Sequence, residues 1–135
     1  MKDIIITLDF PPTVNSYYTK TKRGIFISPK GRAFRECVSK ACNEQGVYGI
    51  QLPCRLAVDV ILYPPDRRTR DLDNYMKALL DSLTIAKIWE DDELIDNLNI
   101  HRGKVLSGAG KCALRITEHH GLIMPDTEDI WDAIE

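Results

Sequence analysis

The sequence predicts an α+β domain, a mixed β-sheet with two helices packed on one face. Residues Ala33, Phe34, Cys37, Val38, Ala41 and Cys42, and again Leu72, Met76, Leu79, Leu80 and Leu83, recur at three and four, the period of amphipathic helices. Five short runs that are apolar throughout or alternate apolar with polar have the character of strands. The order strand, strand, helix, strand, helix, strand, strand lacks strict alternation, so the helices are expected together on one side of the sheet. With 135 residues the chain fits a single domain, large enough to bury roughly two thirds of the surface its unfolded form exposes.

Taken in order, Lys2 to Leu8 is an isoleucine-rich strand that Pro11-Pro12 cannot extend. Thr13 to Arg23 is polar and is expected as a loop, offering donors from Asn15, Lys20, Lys22 and Arg23 and two aromatic surfaces, Tyr17 and Tyr18. Gly24 to Ile27 would return from that loop as a brief strand. Ser28-Pro29 supplies an N-cap and a proline suited to the first helical position, and Gly46 and Gly49 close the helix that follows. Arg55 to Tyr63 alternates as a strand and stops at Pro64-Pro65. The second helix carries Asp73, Asn74, Lys77 and Asp81 on its polar face. Leu94 to Arg102 and Cys112 to Thr117 are strands joined through Gly103, Ser107, Gly108 and Gly110, and are expected to pair as a hairpin. The domain is expected to span residues 1–118, with 119–135 an acidic C-terminal tail, helical over Thr127 to Ile134 or disordered.

Several classes are excluded by composition. No apolar run approaches the ~20 residues of a membrane span. The first residues, Met1-Lys2-Asp3-Ile4-Ile5-Ile6, turn acidic too early for a signal peptide, so the protein is expected in the cytoplasm. The four cysteines lack Cys-x-x-Cys spacing and are expected as buried reduced thiols, with Cys37, Cys42 and Cys112 on apolar faces. His119-His120 makes a poor chelate because neighbouring side chains diverge in a strand, and no transition-metal site is expected there or at His101. Net charge is −2, yet Pro125 to Glu135 contributes five acids and no base, which leaves residues 1–124 at +3. A mildly basic body is concealed by its tail.

The densest chemistry lies in Arg67-Arg68-Thr69-Arg70-Asp71-Leu72-Asp73-Asn74-Tyr75-Met76-Lys77, answered further on by Trp89-Glu90-Asp91-Asp92. Asp71 and Asp73 diverge on a regular strand or helix and converge only where a strand gives way to a helix. Carboxylates brought within ~4 to 6 Å of each other repel unless a cation lies between them. Asp91 and Asp92 supply further oxygen, the donor that a hard cation such as magnesium prefers. Each piece alone has a plain structural explanation: Asp73 and Lys77 as a helical ion pair or Asp73 as a cap, Asp91-Asp92 as a solvated turn, the arginines as a solvated edge. Their coincidence around one corner favours a metal site.

These motifs, together with Asp81-Ser82-Leu83-Thr84 and the early Pro11-Pro12, Asn15, Tyr17-Tyr18 and Gly31, resemble the RusA-type Holliday junction resolvases of phages and prophages over about residues 5 to 118. The resemblance implies that Asp71, Asp73 and Asp92 bind magnesium, for which manganese would substitute, with Asp91 as a supporting or alternate ligand and Lys77 as the catalytic lysine. It further implies a homodimer that nicks branched DNA at four-way junctions, leaving 5′-phosphate and 3′-hydroxyl ends. DNA-facing groups are expected among Asn15, Lys20, Lys22, Arg23, Lys30, Arg32, Arg35, Arg67, Arg68, Arg70, Arg102 and Lys104, because recognition of shape needs phosphate contacts more than base edges. Tyr17 and Tyr18 would stack on opened bases or pack, while Trp89 and Trp131 are expected to pack. Lys87 departs from the family pattern, where glycine often stands. Two rivals are a catalytically silent junction-binding or phage regulatory module and a metal-dependent hydrolase of nucleotides.

Overall fold

A computed structural model describes residues 1–121. Its elements are β1 (Ile4–Leu8), α1 (Val14–Tyr17), β2 (Tyr18–Thr21), β3 (Gly24–Ile27), α2 (Pro29–Glu44), β4 (Leu56–Tyr63), a 3₁₀ turn (Leu72–Tyr75), α3 (Met76–Ile85), a second 3₁₀ turn (Asp92–Leu94), β5 (Ile95–Arg102) and β6 (Lys111–Glu118). The four main strands form a mixed sheet in the order β1-β6-β4-β5, and β2 and β3 make a separate antiparallel pair. This is the expected α+β architecture.

Alternation decides which face the helices cover. Ile6 and Leu8 of β1, Val58, Val60 and Leu62 of β4, and Cys112, Leu114 and Ile116 of β6 are buried in register and share one core with Phe34, Val38 and Cys42 of α2 and Leu79 and Leu83 of α3. No described helix covers the opposite face, where Ile5 is 64% exposed. No helix among the described residues is long and apolar enough to cross a membrane.

Helix α2 begins as its sequence predicts, with the Ser28 hydroxyl accepting from the Gly31 N–H at 2.9 Å and Pro29 at the first helical position. Just past its end, the Gln45 amide bridges the free edge of β1: its Oε1 accepts from Thr7 N at 2.9 Å and its Nε2 donates to Thr7 O at 2.8 Å. An edge strand with its backbone groups so occupied is a poor template for unwanted pairing.

Three expectations need correction. The strands at 95–102 and 111–118 do not form a hairpin, because β4 lies between them, parallel to β5 and antiparallel to β6. Strand β4 is apolar on nearly every residue and needs a neighbour along both edges. The connection from β5 to β6 is long enough to pass over its end, held by Gly103 N to Leu62 O at 2.8 Å and Leu106 N to Pro64 O at 2.9 Å. Gly110 closes that crossing with φ +68°, and a side chain there would stand 2.7 Å from the Tyr63 carbonyl oxygen.

The polar stretch from Thr13 to Arg23 is not a loop but a helical turn followed by the first strand of the β2–β3 hairpin, where Tyr18-Thr19-Lys20-Thr21 pairs with Gly24 to Ile27. Cys37 and Cys54 are only partly buried, and Cys37 donates its thiol to Asp9 Oδ2 at 3.0 Å. Cys42 and Cys112 are buried and free as expected. The acidic-tail expectation for Thr127 to Ile134 and the packing of Trp131 fall outside the described residues.

Candidate active site

The corner follows from what stops β4. Pro64-Pro65 cannot continue the ladder, and the chain is then organised by Asp66, a residue the sequence did not single out. Its Oδ1 accepts from Arg68 N at 2.9 Å, an Asx turn, and from Arg70 Nη1 at 2.6 Å. The hydrogen bonds of Arg70 and Arg68 hold the Asp66 carboxyl down at about 2. Arg70 is therefore committed inward, with its guanidinium 5.9 Å from the centroid of the Phe10 ring, and its carbonyl accepts from Arg102 Nη2 at 2.8 Å. Arg67 and Arg68 remain exposed at the tip.

Asp71 is the last extended residue, at φ −89° and ψ 126°, and Asp73 lies in the 3₁₀ turn that leads into α3. This is the strand-to-helix transition that convergence requires. Neither carboxylate makes a side-chain hydrogen bond or ion pair with any described residue, and both are exposed. One turn on from Asp73, Lys77 is half-exposed, with Nζ 3.6 Å from Asp81 Oδ1.

The distant partner is delivered by the way α3 ends. Ile88 N donates to Leu83 O at 3.2 Å and Lys87 N to Thr84 O at 3.0 Å, the two bonds of a Schellman motif, which puts Lys87 at φ +58° where glycine is the usual residue. Ile88 and Leu83 are both fully buried and complete its apolar contact. Trp89 follows at 1% exposure and donates Nε1–H to Thr84 Oγ1 at 2.7 Å, so it packs as expected. Beyond it, the Asp91 carboxylate caps the second 3₁₀ turn by accepting from Glu93 N at 3.3 Å. Arg55 then ties that turn to the start of β4 and β5, donating to Glu93 Oε1 at 3.0 Å and to Asp96 Oδ2 at 3.0 Å.

Asp92 so returns to the side of α3. Burial pushes its carboxyl above the ordinary range, a hydrogen bond that protonated Asp92 donates to Asp91 and the charge of Asp91 add to this, Lys77 opposes it, and Asp81 adds a further small rise. A carboxylate crowded by its own kind is what a hard cation relieves, and an all-carboxylate donor set is the chemistry magnesium takes. The residues thus fit the cation in kind. They are not drawn into a closed cage: among the described residues no three His, Cys, Asp or Glu side chains converge as a metal-binding group.

One cluster at the site was missed. Asp81 Oδ2 accepts from the Tyr17 hydroxyl at 2.6 Å and from Arg35 Nη2 at 2.9 Å, while Arg35 Nε donates to the Tyr17 oxygen at 2.6 Å. Burial disfavours the charged Asp81, but these two donors and Lys77 overcome it and hold its carboxyl below the ordinary range. Tyr17 is fully buried, its hydroxyl pushed up to about 12 by burial and by Asp81, so it packs rather than stacking on bases. Arg35 lies over its ring at 5.3 Å and is bound up in the cluster. Among the residues expected to face DNA, Asn15, Lys20, Lys22, Arg23, Lys30, Arg32, Arg102 and Lys104 are exposed along with Arg67 and Arg68.

Residues 9–117 match the protein-family model described as Endodeoxyribonuclease RusA. The crossover junction endodeoxyribonuclease RusA of Enterobacteria phage HK97 is 37% identical over 118 residues, 87% of this chain and 97% of its own length. The protein of that name from Shigella sonnei is 36% identical over 119 residues, again 87% and 97% of the two chains.

Proposed function

The chain belongs to the RusA family of endodeoxyribonucleases, and from that premise we propose that it is a magnesium-dependent, structure-selective endonuclease that resolves four-way DNA junctions by paired nicks. The observation that supports this reading is the crowding of Asp92 by Asp91 and Asp81 within reach of the charge of Lys77, on the helix that follows the Asp71–Asp73 turn. Asp71, Asp73 and Asp92 would hold the ion, with Asp91 supporting them, and manganese would substitute. Bound there, magnesium would lower the pKa of an attacking water and neutralise the scissile phosphate, giving 5′-phosphate and 3′-hydroxyl ends. Lys77 would set its ammonium against the transferring phosphate, a kind of contact worth up to ~3–4 kcal/mol in the transition state.

DNA is held by exposed cations on three elements: Lys20, Lys22 and Arg23 on the hairpin, Lys30 and Arg32 in the first turn of α2, and Arg67 and Arg68 on the loop before Asp71. Asn15 stands beside the first group in sequence and offers an uncharged donor. Two copies of the chain act together, because a four-way junction has two-fold symmetry and two related sites match its opposed strands.

The test sets a labelled four-way junction beside linear duplex and single strand, with magnesium or with EDTA. Symmetric, ligatable nicks confined to the junction and abolished by EDTA are expected, with Asp71→Asn losing cleavage far more than binding. Junction binding without a cut would instead favour a silent binding module, and turnover of free nucleotides a small-molecule hydrolase.

A further inference from the structure

Lys77 poses a physical problem at this site. Its side chain is 52% exposed, and a lysine carries about 2 kcal/mol of rotamer entropy that must be given up to hold one position. An exposed i, i+4 pair supplies only about 0.3–0.5 kcal/mol, and the order found here, lysine before the acid, is the weaker one. An ordinary helical ion pair would leave the ammonium sweeping through solvent.

Asp81 is not an ordinary partner. Its Oδ2 is occupied by Tyr17 and Arg35 at 2.6 and 2.9 Å, which fixes the carboxylate and turns Oδ1 toward Lys77. Tyr17 is fixed in turn. Its side chain is buried, and its carbonyl accepts from Ser28 N at 3.0 Å and Ser28 Oγ at 3.1 Å. The rotamer cost of the carboxylate is thus met by contacts that Lys77 does not share.

We propose that Asp81, locked by Tyr17 and Arg35, is the positioning residue that holds the Lys77 ammonium at the carboxylate corner. This rests on the reading of that corner as the catalytic centre. A role as a further metal ligand fits less well, since Oδ2 is held by the buried Tyr17 hydroxyl and the half-buried Arg35 guanidinium, which its release would strand, and Oδ1 faces the Lys77 ammonium. A role as a mere tie between α2 and α3 predicts an effect on stability with none on rate.

The experiment combines two measurements on the full chain. In single-turnover cleavage of a labelled four-way junction at saturating protein, Asp81→Asn and Tyr17→Phe are each expected to slow the cut, Asp81→Asn on the order of tenfold. Junction Kd should stay within about twofold. In a Lys77→Met background, Asp81→Asn should cost nothing more, because it acts only through the ammonium. A full multiplicative loss in the double variant, or an unchanged rate in both single variants, overturns the proposal.

The second measurement is the NMR order parameter of the Lys77 ammonium in the protein alone, which needs no turnover. It should fall in Asp81→Asn and in Tyr17→Phe, and an unchanged value in both overturns the proposal. Loosening of Lys77 in a chain whose parent cuts no junction would sink the proposed function while leaving the positioning role standing.

Discussion

Gly31 lies against Tyr17 so closely that a β-carbon on Gly31 would stand 2.5 Å from the Tyr17 carbonyl oxygen. The obstacle is backbone, which cannot swing aside, and that same carbonyl is held by Ser28. Gly31→Ala is therefore expected to lower stability by about 1–3 kcal/mol, the range for overpacking a tight contact, despite alanine's better helix propensity. Urea unfolding would check it, with Arg32→Ala, exposed one residue on, expected within ~0.5 kcal/mol of the parent.

Lys87 holds φ +58° to close the Schellman turn. The left-handed conformation costs an L-residue roughly 1–2 kcal/mol, while glycine's extra freedom in the unfolded chain costs about 0.4–1. Lys87→Gly should accordingly stabilise the protein by about 0.5–1 kcal/mol, and Lys87→Val should destabilise it by more than that. Thermal unfolding of the two variants gives the ordering directly, and a less stable glycine variant would contradict the strain assigned to this turn.

Tyr17 gives stability a particular alkaline limb. Its hydroxyl is raised from an ordinary 10.0 to about 12, chiefly by burial and then by the Asp81 carboxylate. Below pH 10 both folded and unfolded chains keep the proton and the contribution is complete. Between pH 10 and 12 the unfolded chain releases it while the folded chain does not, so stability falls as pH rises. Stability measured across that window should fall less steeply for Tyr17→Phe than for the parent, and equal slopes would refute the assignment.

The β2–β3 hairpin carries Lys20, Lys22 and Arg23 with no acid between Tyr18 and Ile27. If these cations neutralise phosphates, each should contribute about 0.9 to the slope of log K against log salt for junction binding. Replacing all three with glutamine should flatten that slope by up to about 2.7, with little change in folding stability because the three side chains are exposed. An unchanged slope would place the DNA elsewhere.

Legibility from sequence followed the range of the interaction. Helices α2 and α3 announced themselves through periodicity and, for α2, through Ser28-Pro29, and the Asp71–Asp73 corner was visible because two acids separated by one residue fall where a strand pattern yields to a helix pattern. Periodicity reports which face a strand buries and says nothing about which strand lies beside it, which is why β5 and β6 were expected as neighbours. The cue to the true order was the nearly unbroken apolar run of β4, the mark of a strand flanked on both edges. Strand β2 was hidden by its polarity, although Tyr18, Thr19 and Thr21 are good strand formers. Nothing local marks the Tyr17–Arg35–Asp81 cluster, whose hydrogen bonds span 18, 46 and 64 residues of chain. Such a cluster exists only once three helices have packed.

Among the described residues strand β1 has β6 as its one ladder partner, Ile4 opposite Ile116 and Leu8 opposite Cys112. Strand β1 leaves the ribosome well before β6 and must therefore wait for it before it can bond along its length. A nascent chain holding every carboxylate and cation of the corner still lacks the strand that closes its sheet. Synthesis thus withholds the closed sheet beneath the corner until β6 has emerged.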